Sequence, residues 1–272
     1  MPLFIVGTPI GNLRDISQRA AEILKSSDII LAESGERLKI LFSHLNIEAK
    51  KFMTYREENK KRVTPVIIEY LKENLSVSLI SDAGMPAISD PGSFLINEVF
   101  ENNLSVCLIP GPTAFSSALS ASGFSAKEAV FTGFLPRKKI EIEEIITYYR
   151  ARDTLLVFYE SPERILNTLE LFDELDPLCK VFIAREMTKK YEEFIRGSPQ
   201  RLISIMRERT IKGEITAVVK FSELKRKTSY DPELLKILKK ENLGTKNIAR
   251  ILADYYKISA RSIYNELIKN NH

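Results

Sequence analysis

The segment Ser81-Asp82-Ala83-Gly84-Met85-Pro86-Ala87-Ile88-Ser89-Asp90-Pro91-Gly92 indicates more about the fold than any other stretch of the chain. A strand-like apolar run, residues 76–80, precedes it, and a helix-like run, residues 94–100, follows it. Its small, polar and turn-forming residues suit a loop whose backbone approaches a ligand, because Gly and Ala leave room and Pro fixes the path. Open α/β sheets bind ligands at the carboxyl ends of their strands, where this loop is predicted to lie.

Two other segments have the same character and follow other strand-like runs. Thr8-Pro9-Ile10-Gly11-Asn12 comes after residues 3–6, and Pro110-Gly111-Pro112-Thr113-Ala114 comes after residues 106–109. Three such loops at equivalent strand ends predict one shared pocket. The alternative is that all three are ordinary turns between strands and helices.

Composition indicates a soluble protein of one large or two medium domains. The chain has 272 residues, of which 44% are hydrophobic and 28% charged. No apolar run is long enough to span a membrane, and the N-terminus begins directly with a strand instead of a signal segment. We therefore expect a cytoplasmic protein.

Cysteine and histidine usage argues against several kinds of catalytic centre. Cys107 and Cys179 lie in apolar runs and are interpreted as core residues. The two histidines, His44 and His272, are far apart in sequence. We therefore expect neither a histidine-based metal site nor a Ser-His-Asp triad.

The positive charge is concentrated at the C-terminal end. The net charge is +4, and residues 223–272 contain 11 Lys and Arg against 6 Asp and Glu, so the remainder is close to neutral. A basic appendage on a neutral body favours contact with a polyanion, nucleic acid first. A solvated lysine-rich helical face is the alternative.

Alternating patterns predict an α/β fold in both halves before the basic end. In the first half we predict buried parallel strands at residues 3–6, 29–32, 76–80 and 106–109, with helices at 17–24, 37–45 and 63–73. Thr64 is the predicted N-cap of the last helix, with Pro65 in its first turn. In the second half we predict longer, more antiparallel strands at residues 129–132, 154–159, 180–184, 191–196 and 215–221.

Three domains follow from these patterns. We predict an N-terminal α/β lobe at residues 1–111, a C-terminal α/β lobe at 112–222 and a basic helical appendage at 223–272. Its helices are predicted at residues 232–240, 246–256 and 260–269, and the last two resemble a helix-turn-helix unit.

Six ordered segments together resemble one family. They are GTPIGNL from residue 7, SDAGMPAISDPG from 81, PGP from 110, GFLPRK from 133, FYESP from 158 and AREMTK from 184. The chain resembles the ribosomal RNA small subunit methyltransferase I family of the tetrapyrrole methylase superfamily. The resemblance implies two α/β lobes with a cofactor cleft between them and a homodimer. It further implies S-adenosylmethionine-dependent methylation of the ribose 2′-hydroxyl of a cytidine in 16S rRNA of the 30S ribosomal subunit.

The resemblance also implies a cofactor site made by the three loops. No Gly-x-Gly-x-x-Gly fingerprint follows the first strand, and a cofactor without a pyrophosphate does not need one. Asp82 would stand at the edge of the site. The residues implied to line it are Pro9, Ala83, Gly84, Met85, Ile88, Thr113, Ala114 and Tyr159.

Methyl transfer to a hydroxyl benefits from a proton acceptor, and RNA needs cations. Glu33, just after the second strand, is the first candidate base, followed by Glu57 and Glu160. Tyr55 and Phe134 are candidates to stack on an unpaired base. The candidate RNA-binding cations are Arg14, Arg37, Arg137, Lys138, Lys139 and Arg185.

The chain departs from the family pattern in two segments where substrate contacts are expected. Residues 32–38 are AESGERL where the family has AEDTRRT, and residues 55–59 are YREEN where it has YHEHN. Met85 also replaces the Thr of the signature loop. Two alternatives therefore stay open: a methylase of a small, tetrapyrrole-like molecule, and a catalytically altered relative that binds RNA or the ribosome.

Overall fold

The computed structural model describes residues 1–48, 51–150, 154–222, 230–241, 243–256 and 258–269. The chain forms two compact units, Met1–Ser222 and Glu223–His272. Both β-sheets belong to the first unit, so the division of that unit into lobes 1–111 and 112–222 stays a prediction. No helix within the described ranges is long and apolar enough to cross a membrane.

The first sheet is entirely parallel, as the short apolar strands predict. Its strand order is β3-β2-β4-β1-β5, and all neighbouring pairs run in the same direction. The strands are β1 (Leu3–Val6), β2 (Ile29–Ala32), β3 (Lys51–Thr54), β4 (Val77–Leu79) and β5 (Val106–Ile109). The helices that connect them are α1 (Gln18–Ser26), α2 (Gly35–Leu45), α3 (Lys60–Lys72) and α4 (Ser93–Glu101).

The central strands of this sheet are buried on both faces. Leu31 and Leu79 point into a core with α3 and α4 residues, whereas Ile30 and Val6 point into a core with α1 and α2 residues. This explains why the strands are almost continuously apolar. The exception is Ser78 of β4, which is buried and whose hydroxyl shares a hydrogen bond of 2.6 Å with the Ser27 hydroxyl.

The predicted start of the third helix is wrong. Helix α3 begins at Lys60, and Pro65 lies inside it, with Asn59 at the N-cap position. Thr64 is buried and its hydroxyl shares a hydrogen bond of 3.1 Å with the Tyr55 hydroxyl, so it does not cap the helix. Tyr55 is only 1% exposed. It is therefore a core residue and does not stack on a base.

The second sheet is mixed, with order β6-β7-β10-β8-β9. Only β6 and β7 run parallel, and the other pairs are antiparallel. Helix α5 (Ala114–Ser122) contributes to the core on one face, and helices α6 (Lys139–Arg150), α7 (Ile165–Leu175) and α8 (Pro199–Arg207) cover the other. The strands are β6 (Glu128–Phe134), β7 (Thr154–Glu160), β8 (Lys180–Arg185), β9 (Glu193–Gly197) and β10 (Ile215–Lys220).

The C-terminal unit has its own small core. Its helices are α9 (Pro232–Lys240), α10 (Thr245–Tyr256) and α11 (Ala260–Lys269). Leu252 and Ile263 are completely buried at its centre, together with Ile248 and Leu267. Asp231 caps α9 by accepting a hydrogen bond of 2.8 Å from the Glu233 amide. The predicted helices of this unit are thus present in the structure.

Candidate functional site

A cavity of about 540 Å³ lies where the loops of the first sheet face the second sheet. The loops that follow β1, β2, β4 and β5 contribute one wall, and the end of β7 and the start of β10 contribute the other. It therefore combines the three glycine- and proline-rich loops as the sequence predicts. The lining residues are Ile10, Glu33, Arg37, Asp82, Ala83, Gly84, Met85, Ile88, Ser89, Asp90, Thr113, Ala114, Phe134, Tyr159, Glu160, Ser161, Pro162, Gly213, Glu214, Ile215 and Thr216.

Backbone hydrogen bonds hold the loops after β1 and β4 together at the cavity. The amide of Thr8 donates to the Gly84 carbonyl at 2.8 Å, and the amide of Gly84 donates to the Thr8 carbonyl at 3.1 Å. Gly84 has φ = +86°, a left-handed conformation that favours glycine. The loops after β1 and β5 approach even more closely, because a Cβ on Gly111 would lie 2.8 Å from the Cα of Gly7. The loops can approach this closely because glycine, which has no side chain, occupies positions 7, 84 and 111.

Glu33 is the most perturbed carboxylate of the cavity. Partial burial, with the charges of Asp90 and Asp82, raises its pKa to about 7, although Arg56 opposes this. Its Oε1 atom is buried and has no hydrogen-bond partner among the described residues. The Arg56 side chain instead donates to the Glu33 carbonyl at 2.9 Å. The Glu33 side chain is therefore poised for a group that the protein itself does not supply.

Asp90 is a second carboxyl group at this site that the sequence reasoning missed. Burial raises its pKa, the Ser81 hydroxyl opposes this, and the nearby Asp82 charge raises it further. Asp82 itself is held in place, because its Oδ1 accepts a hydrogen bond of 3.1 Å from the Ser34 amide. Asp90 stands within the segment 81–92, so the signal was present in the sequence.

The opposite wall carries an aromatic cluster. The Tyr159 ring lies edge-on to Phe131 at 4.8 Å and to Phe134 at 5.6 Å between centroids. Burial, followed by the charge of Asp90, raises the pKa of the Tyr159 hydroxyl. Phe134 is 61% exposed, so it is available for contact with a ligand at the cavity mouth.

Comparison with known families places this architecture. The family model described as tetrapyrrole (corrin/porphyrin) methylases matches residues 2–203. The chain belongs to this methylase family. Its curated relatives named ribosomal RNA small subunit methyltransferase I include one from Thermotoga maritima, 42% identical over 81% of this chain and 99% of the relative. Another, from Buchnera aphidicola, is 35% identical over 98% of this chain and 95% of the relative.

Solved structures of the same fold are more distant in sequence. Diphthine synthase is 14% identical with a TM-score of 0.63, covering 81% of this methylase and 90% of that chain. Uroporphyrin-III C-methyltransferase from Thermus thermophilus, complexed with S-adenyl homocysteine, is 13% identical with a TM-score of 0.56, covering 80% and 97%. These likenesses establish the fold.

The predicted cofactor residues of the methylase divide between two cavities. Eight of the nine line the larger cavity: Asp82, Ala83, Gly84, Met85, Ile88, Thr113, Ala114 and Tyr159. Pro9 lines a smaller cavity of about 200 Å³, which shares Ile10, Arg37 and Asp82 with the larger one. Sequence reasoning missed the residues from Gly213 to Thr216, because nothing in their composition distinguishes the start of β10.

The other two candidate bases are less suited to act in the cavity than Glu33. Glu57 is exposed, does not line the cavity and pairs with Lys60, so the structure does not bring it together with Glu33 there. Glu160 touches the cavity but is 2% exposed. Its carboxylate accepts from the Thr168 hydroxyl at 2.8 Å and pairs with Arg164 at 3.2 Å, so its hydrogen-bonding capacity is used internally.

The predicted RNA-binding cations are not equivalent. Arg37 lines both cavities, whereas Arg14 is exposed outside them and Arg137 lines a separate groove against α7. Lys138 pairs with Glu141 at 3.0 Å, and Lys139 pairs with Glu174 at 2.9 Å and Glu143 at 3.5 Å.

The Arg185 side chain makes hydrogen bonds within the protein, which gives it a structural role as an alternative to RNA contact. Its Nε donates to the Glu193 carboxylate at 3.0 Å, and its Nη1 donates to the Lys212 carbonyl at 2.9 Å. Lys212 directly precedes Gly213, the first of the cavity residues on that segment. Arg185 therefore braces one edge of the cavity.

Proposed function

We propose that this protein transfers a methyl group from S-adenosylmethionine to the ribose 2′-hydroxyl of a cytidine in 16S rRNA, with the 30S ribosomal subunit as its substrate. The observation that carries the proposal is the cavity itself, in which close-approach backbone loops face Glu33, whose Oε1 atom has no hydrogen-bond partner among the described residues. The names of the curated relatives support ribosomal RNA of the small subunit as the target.

The residues present fit the cofactor. The left-handed Gly84 and the neighbouring Ala83 leave room for a ligand against the backbone, and Met85, Ile88 and Ala114 offer apolar contacts to adenosine. Five carboxyl groups line the same cavity: Glu33, Asp82, Asp90, Glu160 and Glu214. A negative lining favours a ligand that bears a sulfonium and an ammonium group.

When bound, S-adenosylmethionine supplies an activated methyl group whose leaving sulfur is neutral. The cavity walls would contribute positioning, because holding the ribose hydroxyl next to the methyl donor would remove much of the entropic cost of their encounter. As the carbon–oxygen bond forms, the hydroxyl proton passes to the Glu33 carboxylate. A carboxyl pKa near neutrality makes Glu33 a stronger base than an ordinary glutamate at working pH.

RNA contact and assembly belong to the same proposal. Arg37 at the cavity rim is the best-placed of the candidate cations, and Phe134 is the aromatic group available to stack. We further propose a cytoplasmic homodimer. The small-molecule alternative is not favoured, since relatives at 34–43% identity are named as rRNA methyltransferases whereas the likeness to uroporphyrin and corrin methylases stands at 13–19%.

A labelling experiment tests the proposal. The protein is incubated with tritiated S-adenosylmethionine and 30S subunits from a strain that lacks its own family enzyme, and the labelled nucleotide is mapped. Label on the ribose of a 16S cytidine is the expected result. Label on another RNA position would correct the nucleotide, and cofactor binding without any label in RNA would overturn the proposed substrate.

A further inference from the structure

The smaller cavity has a composition that suits a nucleobase. Its walls are mostly apolar, with Pro9, Leu38 and Leu41 among them, and its only ionisable lining groups are Arg37 and Asp82. Its volume of about 200 Å³ is enough for one heterocycle. A mostly apolar cavity with a few fixed polar groups suits a site that recognises a base.

The two charged groups present complementary hydrogen-bonding functions. Asp82 is oriented by the Ser34 amide on Oδ1, and Oδ2 accepts no hydrogen bond from the described residues. The Arg37 guanidinium has neither an ion pair nor a side-chain hydrogen bond within the described ranges, although it lines both cavities. The smaller cavity therefore offers a hydrogen-bond acceptor, Asp82 Oδ2, and the planar set of donors of the Arg37 guanidinium.

We propose that this cavity holds the target base and selects cytosine over uracil. Asp82 accepts a hydrogen bond from the exocyclic amine of cytosine, and Arg37 donates to the ring nitrogen or the carbonyl oxygen beside it. Uracil has a carbonyl oxygen in place of the amine. That oxygen and the Asp82 carboxylate are both hydrogen-bond acceptors, so they would repel each other. The inference rests on the proposed function and adds to it the means of base recognition.

The arrangement of the two cavities supports this assignment. They meet at Ile10, Arg37 and Asp82, and Glu33 lines the larger cavity beside that junction. A nucleoside with its base in the smaller cavity has its ribose at the junction. Its 2′-hydroxyl then faces the larger cavity, where the methyl donor and the proton acceptor are proposed to act.

Mononucleotide binding tests the inference without requiring turnover. Cytidine and uridine 5′-monophosphate are titrated into the intact protein saturated with S-adenosylhomocysteine, and binding is followed by calorimetry or saturation-transfer NMR. We expect the wild type to prefer the cytidine nucleotide by on the order of tenfold. In Asp82→Asn, the amide oxygen can keep the Ser34 bond while the amide nitrogen donates into the cavity, so the preference should move towards uridine.

Arg37→Ala and Lys39→Ala form a matched pair. Lys39 is exposed on the same helix and lines neither cavity, so both changes remove one positive charge from α2. Arg37→Ala should weaken cytidine nucleotide binding, whereas Lys39→Ala should preserve both the affinity and the preference for cytidine.

Three results would overturn the inference. The first is equal binding of the two nucleotides by the wild type, and the second is no detectable binding of either while S-adenosylhomocysteine binds. The third is a loss of S-adenosylhomocysteine affinity in Arg37→Ala, which would assign the smaller cavity to the adenine of the cofactor. If the labelling experiment gave no methylated RNA but the protein still bound the cytidine nucleotide more tightly, the proposed reaction would be wrong and the inference about base recognition would stand.

Discussion

At the level of single residues, the chemistry of this methylase depends on Glu33. Its carboxyl group lines the cavity, and its pKa is raised to about 7. Its buried Oε1 accepts no hydrogen bond from any residue that the structure describes. We expect Glu33→Gln to lower the methylation rate by about 10²- to 10⁴-fold, the usual contribution of a general base, with cofactor affinity largely kept. Single-turnover methylation of 30S subunits measures the first quantity and calorimetry the second.

Glu57→Gln is the matched comparison for that experiment. Glu57 is exposed and paired with Lys60 outside the cavity, so its replacement should leave the rate within about threefold of wild type, because an exposed ion pair contributes little. A rate loss in Glu57→Gln equal to that in Glu33→Gln would contradict the assignment of the base.

The pH dependence of the rate should respond to the neighbouring Asp90. The methylation rate requires ionised Glu33, so it should rise with pH to a plateau above about 7. After burial, the charge of Asp90 contributes most to raising the pKa of Glu33. Asp90→Asn should therefore move the rising limb to lower pH. If the pH range over which the rate rises were the same in Asp90→Asn and wild type, a group other than Glu33 would control the pH dependence of the rate.

The same carboxyl group makes a prediction about stability. Because the pKa of Glu33 rises from 4.5 to about 7 on folding, its contribution to the free energy of unfolding becomes less favourable as pH increases across that window. Glu33→Gln removes the ionisable group and therefore this loss of stability at higher pH. Its unfolding temperature relative to wild type should therefore be higher at about pH 8 than at about pH 5, as thermal melts would show. The opposite trend would mean that burial does not disfavour the ionised form.

At the level of elements, the loop after β4 determines whether the cofactor can enter. Gly84 lines the cavity with φ = +86°, and a Cβ there would lie 3.4 Å from Ile10 and from the Pro112 carbonyl, an ordinary contact. We expect Gly84→Ala to cost about 1 kcal/mol of stability through backbone strain while retaining cofactor binding.

Gly84→Arg differs by filling the cavity as well as straining the loop. We expect it to abolish S-adenosylmethionine binding, measured by calorimetry, at a stability close to that of Gly84→Ala. Normal cofactor affinity in a folded Gly84→Arg protein would place the cofactor elsewhere.

The elements also show which parts of the fold the sequence can predict. Strands β1, β2 and β4 were predictable because burial on both faces makes them mainly apolar runs, and the loops because close backbone approach requires glycine. Strand β3 was missed because it lies at the sheet edge, half-exposed, and carries little apolar signal. The start of α3 was misplaced because Thr64 and Pro65 have the residue types of a helix start but occupy its interior.

The site was predictable only on the side that the loops contribute. Asp82 to Ile88 follow directly from the quoted segment, whereas Gly213 to Thr216 reach the cavity through the antiparallel pairing of β10 with β7 and β8. Pairing between distant strands leaves no local pattern. Arg185 and Lys139 were nominated for their charge, and their carboxylate partners are evident only in three dimensions.

At the level of the whole molecule, the C-terminal unit is compact by itself. The alignment with the Thermotoga relative takes in 99% of that protein but leaves about a fifth of this chain unmatched, roughly the size of residues 223–272. We expect removal of residues 223–272 to leave cofactor affinity unchanged. RNA affinity should fall, with a shallower salt dependence, because cationic contacts are lost. Filter binding at several salt concentrations measures the RNA affinity. An unchanged affinity would mean that residues 223–272 have no role in RNA binding.

The strand order of the first sheet has a consequence for biosynthesis. β1 is made first, yet it lies between β4 and β5 and pairs with residues 77–79 and 106–109. A nascent chain must therefore carry an apolar N-terminal strand without its partners until about a hundred further residues have left the ribosome. Chaperone capture of the emerging N-terminus would be strongest in this interval, and the cavity loops could not assemble before it ended.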